Sequence, residues 1–498
     1  MTVFWFKQAL FVSGYSFLIQ IPLIQRLSPG PPLGRYTSPM GIFGLNNGCR
    51  LAVVLLGFSL VAPAMAMPFA DARHLLLRSG FGGDGGEIRA LNDVSFESAV
   101  DRLLVDTHQV AVTPPPVWVN EAPPPHGYRR RMSESERKAF GKKLRQRSIE
   151  LQAWWFQEMV NTPSPLTERM TLFWANHFTS SSRKVRWTPL MYQQNVLLRR
   201  HALGNFATLL RAMIRDPAML VYLDNAKNRR GHGNENFARE LLELFSLGEG
   251  HYGEADIKAA ARALTGYTVN RSNGKFRFAQ PAHDTGSKTF LGRMGNLDGD
   301  DIVDTILKQP QVAELITRKL WREFVSLTPD NNEIARLANL FRDHHYEIKP
   351  LLRAIFLSRG FRDPHNRAAL IKSPVDLIVS TVRGLNMKFD NYRLLARASH
   401  RMGQTLFVPP NVKGWSGGKT WIDSNTLLVR QEFLRRAALG MQRGSNKMDR
   451  RYGMDADKMD MARLPQVLLA GAPTQNMGEG GQSNRLEKIL LDPVYQLK

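Results

Sequence analysis

Three short segments gather side chains able to donate, accept or transfer protons. Phe173-Trp174-Ala175-Asn176-His177-Phe178 sets an amide and an imidazole among aromatic rings. Gly231–Phe245 opens on glycines, offers Asn234 as a helix cap, and spaces Phe237, Leu241 and Leu244 for a helix. On that helix Asn236, Glu240 and Glu243 share a face, while Glu235 and Arg239 form an i,i+4 pair that a plain surface salt bridge also explains. His283-Asp284-Thr285-Gly286-Ser287-Lys288 forms a polar segment without periodicity, and polar loops are the usual carriers of function. The candidate catalytic set is therefore Asn176, His177, Arg239, Glu240, His283 and Asp284. His177, Glu240 and His283 have the ligand types for Zn, Mn or Fe, so a divalent metal is the candidate cofactor of a hydrolase. No two histidines stand at a tight ligand spacing, and no HExxH, GxxxxGK[ST] or GxSxG string occurs.

A second set reads as ligand-binding: Asn234, Asn236, Lys288, Trp415 and Trp421. The two tryptophans lie on the glycine-punctuated stretch Gly403–Ile422. Their rings suit stacking on a sugar or filling a gap between helices.

The elements that must hold these residues are mostly helices. Ser133 and Glu136 fit a capping box, and Phe140, Leu144, Leu151, Trp155 and Met159 then recur at helical spacing over 133–160. Ala313, Ile316, Leu320 and Phe324 make another apolar stripe. Ser373-Pro374-Val375-Asp376 supplies a cap, a first-turn proline and an acid at the positive end of the helix. Strict alternation is scarce, so the fold class is mainly α: a multi-helix globular domain with long irregular loops. The prolines of 113–127 predict a stiff linker or an arm across the surface. Residues 67–440 form the helical domain, 441–484 a mobile insertion rich in Met, Gly and charge, and 485–498 the closing helical segment, with its helix at 485–492.

The net charge is +23 with 43% hydrophobic residues, a composition that excludes a disordered or collagenous chain and favours anionic partners. Arg50, the apolar run 51–63 and the small-residue end Ala64-Met65-Ala66 predict a secretory signal peptide, with Met40 as the start of translation. Residues 1–66 are then an extension plus that leader. The stretch 8–24 is interrupted by Gly14 and Pro22, which argues against a membrane anchor there. Cleavage removes Cys49, the one cysteine, so thiol catalysis is excluded in the mature chain. A periplasmic or secreted location disfavours nucleic acid and turns the basic surface toward anionic lipid or polysaccharide. Residues 128–147 carry nine Lys/Arg against two Glu, the densest basic cluster.

The phrases FWANHF, GNENFARELLELFSLGEGHY, ARALTGY, HDTGSKTFLG, KSPVDLIVSTVRGL and GQTLFVPPNVKGW together resemble the bacterial family known as domain of unknown function 1800. The resemblance runs from about Phe69 to the C-terminus. It implies an exported helical protein, supplies no reaction, and suggests as partner an exported protein resembling sulfatases or alkaline phosphatases. Gly253 departs from the pattern, standing where a capping Ser or Thr is expected. These observations favour a binding or scaffolding protein of the envelope with an anionic or protein partner, with the metal-dependent hydrolase as the alternative.

Overall fold

Capping chemistry places the helices where the sequence predicts them. The Glu136 amide donates to Ser133 Oγ at 3.3 Å and the Ser133 amide to the Glu136 carboxylate at 2.7 Å. The helix behind them runs Glu134–Asn161. Ser373 and Asp376 close the same reciprocal pair, 3.1 Å in both directions, ahead of the helix Pro374–Gly384. At Gly253 the cap lacks a side chain, but its amide still donates to Asp256 Oδ2 at 2.9 Å. This computed structural model describes residues 66–125, 127–440, 462–475 and 482–498.

Helices dominate, as the periodicity requires. Among the described residues the sheets are two antiparallel hairpins, Tyr267–Val269 with Phe276–Phe278 and Lys288–Phe290 with Arg293–Gly295. The second hairpin takes up part of the segment read as loop. No described helix is long and apolar enough to cross a membrane. The leader and the stretch 8–24 lie outside the described residues.

Two apolar clusters share the interior. One contains Trp174, Phe206, Leu241 and Ile316. The other contains Trp155, Ile378, Leu434 and Leu490. The helix Pro165–His177 lies between them: Met170, Phe173 and Trp174 pack in the first, Leu172 in the second. Its charged residues Glu168 and Arg169 are therefore buried with the rest. Buried charges persist only when paired, and this constraint shapes the site described below.

Three expectations need adjustment, and one alternative left open is resolved. In the helix Glu134–Asn161, Phe140 and Leu144 stay half-buried and the stripe enters the core only from Leu151 onward, so Arg137, Lys138, Lys142, Lys143 and Arg145 stand exposed. Residues 113–125 are an arm rather than a linker. Trp118 and Val119 are buried, Trp118 Nε1 donates to Glu150 at 2.8 Å, and Trp154 Nε1 donates to the Thr113 carbonyl at 3.2 Å. Within the expected mobile insertion 441–484, residues 462–475 hold a short helix, Leu464–Leu468. Its Leu464 and Leu468, one turn apart, enter the second cluster. The closing helix starts earlier than predicted and runs Gln482–Leu491.

Candidate functional site

A cleft of about 450 Å³ opens between the helix Pro165–His177, the helix Pro310–Phe324, the start of Pro374–Gly384 and the loop ending at Trp421. Helical spacing explains its first wall. Arg169, Phe173, Asn176 and His177 stand three to four residues apart and so face one way. Lys319, Arg322 and Glu323 line the second wall by the same rule.

His177 and Lys319 meet at the floor. The imidazole is 5% exposed and packed edge-on against Trp174 and Phe178. Its Nε2 lies 3.1 Å from the Phe245 carbonyl. A carbonyl only accepts, so Nε2 carries the proton and Nδ1 keeps its lone pair. That lone pair accepts from Lys319 Nζ at 3.0 Å, and Nζ also donates to the Leu244 carbonyl at 2.8 Å. Burial, then the lysine charge, hold the imidazole well below its ordinary pKa. Burial, then repulsion from Arg322, bring the Lys319 amine down to about 8. Neither Lys319 nor Arg322 has a carboxylate partner among the described residues.

Beside them in the cleft a charge cluster is fully paired. Asp376 binds the Arg169 guanidinium and, at 2.9 Å, Lys498 Nζ. Glu323 lies 3.3 Å from Arg169 and 3.5 Å from Lys498. Burial pushes the Asp376 carboxyl up, but Arg169 and Lys498 outweigh it and hold the group well below the usual carboxylate range. Lys498 reaches this place because its segment pairs with residues 370–372: Leu370 and Lys498 exchange both backbone hydrogen bonds, at 3.2 and 2.7 Å.

The tryptophan loop is tied to the first wall by one amide. Asn176 Oδ1 accepts from the Trp415 amide at 2.7 Å and Asn176 Nδ2 donates to the Trp415 carbonyl at 3.2 Å. Gly414 makes this approach possible. Its φ is +79°, and a Cβ there would collide with Asn176. Gly414→Ala is expected to destabilise the protein by about 1–3 kcal/mol, from backbone strain and loss of the bracket. Urea denaturation followed by tryptophan fluorescence reads both effects, and an unchanged midpoint and spectrum would refute the account. Trp421 is buried and Trp415 half-buried, and both line the cleft.

The remaining sequence candidates are placed elsewhere and engaged otherwise. Asp284 forms a two-point pair with Arg262 at 2.8 and 3.1 Å, and that guanidinium first of all lowers it to about 2. His283 Nδ1 donates to the Thr265 carbonyl at 2.9 Å, and Lys288 Nζ donates to the carbonyls of Asp284 and Gly286. Asp284 and His283 thus fasten this segment to the helix Glu254–Ala263 and its end, while Lys288 braces the segment internally. Arg239 pairs with Glu235 and Glu254. Asn234 Oδ1 accepts the Asn236 amide, and Asn236 Nδ2 donates to the Leu223 carbonyl. Glu240 is half-buried on the helix Asn236–Glu243; burial, then its neighbour Glu243, raise its pKa. The proposed metal set of His177, Glu240 and His283 is not supported. Both His177 nitrogens are engaged, and among the described residues no three His, Cys, Asp or Glu side chains gather to hold a cation.

Sequence reasoning missed Arg169, Lys319, Arg322, Glu323 and Lys498, and saw in Asp376 only a helix-start acid. A signal existed for two of them. Arg169 stands with Glu168 in a helix otherwise free of charged residues up to His177, and Lys319 adjoins the buried stripe of Ile316 and Leu320.

Comparison with curated proteins gives no match, and comparison with solved structures gives none. The fold, the cleft-lining phrases around His177 and Trp415, and a family profile that matches residues 74–497 agree: the chain belongs to the family described as protein of unknown function (DUF1800).

Proposed function

We propose that this is an exported envelope protein that binds the anionic group of an acidic saccharide in the cleft. One observation carries the reading: of five cationic side chains on the cleft, Lys319 and Arg322 have no carboxylate partner among the described residues. A cation without a counter-charge favours an incoming anion, the more so at the half-buried Lys319. The cleft has the volume of a small-ligand site, typically about 300–1,000 Å³. The half-buried Trp415 supplies the apolar face that a sugar ring packs against. Export rests on the leader pattern at 51–66.

Calorimetry of the full chain with a galacturonic acid oligosaccharide, its neutral galactose counterpart and phosphatidylglycerol vesicles tests the reading. Binding of the acidic sugar alone is expected, with Lys319→Met and Arg322→Met each weakening it about five- to ten-fold. Equal binding of the neutral sugar would remove the anion, and vesicle binding alone would move the ligand to lipid.

The pH dependence follows from Lys319, whose neighbours are His177, Arg322 on its own helix, and Arg169, Glu323, Asp376, Lys413 and Lys498 around the cleft. Its charge is present below about 8 and lost above it. A bound anion stabilises the charged form, so binding takes up protons and affinity falls as pH rises. Between pH 7 and 9 the fall is expected to approach about ten-fold.

A further inference from the structure

We propose that Lys319 is a carbonyl-reactive amine that forms an imine with an oxo acid held in the cleft, the open-chain form of a uronic acid being one such compound. The proposal rests on the anion-binding reading above and adds a covalent step to it. Its basis is the company the amine keeps. Arg169 and Lys498 in the same cleft are committed to Asp376 and Glu323. Lys319 Nζ instead donates to two uncharged acceptors, His177 Nδ1 at 3.0 Å and the Leu244 carbonyl at 2.8 Å. A neutral amine has two N–H bonds for those acceptors and a lone pair left over. The same acceptors give an ammonium ion no counter-charge. Burial and the neighbouring Arg322 favour the neutral form as well, with a pKa of about 8.

The step balances without an oxidant. The Nζ lone pair attacks the carbonyl carbon and the C=O π pair moves onto oxygen. His177 Nδ1, already in contact with Nζ, takes a proton from nitrogen and returns it to that oxygen. The carbinolamine nitrogen then gives its remaining proton, again through His177 Nδ1, to the hydroxyl; the nitrogen pair forms the C=N bond as the C–O bond breaks and water leaves. Arg322, without a partner of its own, receives the carboxylate of the acid.

The full chain is incubated separately with glyoxylate and with propanal, each with cyanoborohydride, which delivers hydride to the imine carbon and fixes the adduct. Peptide mass mapping reads the rate at each lysine. At pH 7.5 Lys319 is expected to react at least about ten-fold faster than exposed Lys138 and Lys142, and glyoxylate to outpace propanal at Lys319 alone. The Lys319 rate should level off just above pH 8, whereas the surface lysines keep accelerating toward pH 10. Arg322→Met should abolish the glyoxylate advantage while leaving propanal selective for Lys319. If Lys319 reacts no faster than Lys138 with either aldehyde, the reactive amine is overturned and the anion reading stands. If both aldehydes select Lys319 equally, the anion reading is overturned and the oxo acid falls with it.

Discussion

Asp376→Ala is expected to remove about 3–5 kcal/mol of folding stability, the range for breaking a buried ion pair. The carboxylate is 4% exposed and serves two cations and a helix start at once. Its loss leaves Arg169, itself 2% exposed, with the Gly80 carbonyl, the Phe81 ring face and the more distant Glu323. The helix Pro374–Gly384 also loses half of its capping box, worth on its own about 1 kcal/mol. Domains of this kind are held by roughly 5–15 kcal/mol in all, so the variant should unfold at markedly lower urea. Asp376→Asn keeps an acceptor for the Ser373 amide and separates the two contributions. If the alanine variant unfolds within about 1 kcal/mol of the parent, the cluster is not the support described.

An effect of similar size is expected at Glu168, the neighbour of Arg169 on the helix Pro165–His177. Glu168 and Arg199 are 1% and 2% exposed and bind through two points, at 2.5 and 2.9 Å. The second carboxylate oxygen also accepts Trp155 Nε1 at 2.8 Å. Glu168→Ala therefore strands a buried guanidinium and a buried indole donor, and a loss of about 3–5 kcal/mol is expected. Two partial compensations exist: Arg199 lies 5.3 Å from the centre of the Trp154 ring, and Glu158 adds a more distant attraction. The double change Glu168→Leu with Arg199→Met removes both charges and should recover most of the loss. A double variant as unstable as the single one would show that packing, not stranded charge, sets the cost.

These sites mark how far the sequence could be read. Local chemistry was legible. Ser133 with Glu136, and Ser373 with Asp376, announce helix starts because every partner lies within three residues. The apolar stripe through Ile316 and Leu320 announces the helix that carries Lys319. His177 stands out by its aromatic setting, and the structure does put it on the cleft. What could not be read is partnership across the chain. Lys319 follows His177 by 142 residues, and Lys498 follows Asp376 by 122. No periodicity encodes such a meeting, which depends on how helices cross. The same limit hid the partners of His283 and Asp284. Their composition suggests acid–base chemistry, yet Arg262 and Thr265, on and just after a neighbouring helix, engage them.

The pairing of residues 370–372 with 496–498 has a consequence for how the molecule comes into being. Asp376, which already holds Arg169, acquires its second cation only when the segment that carries Lys498 is present. A nascent chain lacking that segment holds Asp376 and Arg169 beside an unfilled edge, and the second core lacks Leu486, Ile489 and Leu490. Contacts this distant in sequence form slowly. The second core therefore closes only after the residues that carry Leu486, Ile489 and Leu490 have been made, whereas the first, drawn from Met67 to Phe361, needs none of them. Late closure of the second core keeps that part of the chain threadable for longer, which suits the export proposed above.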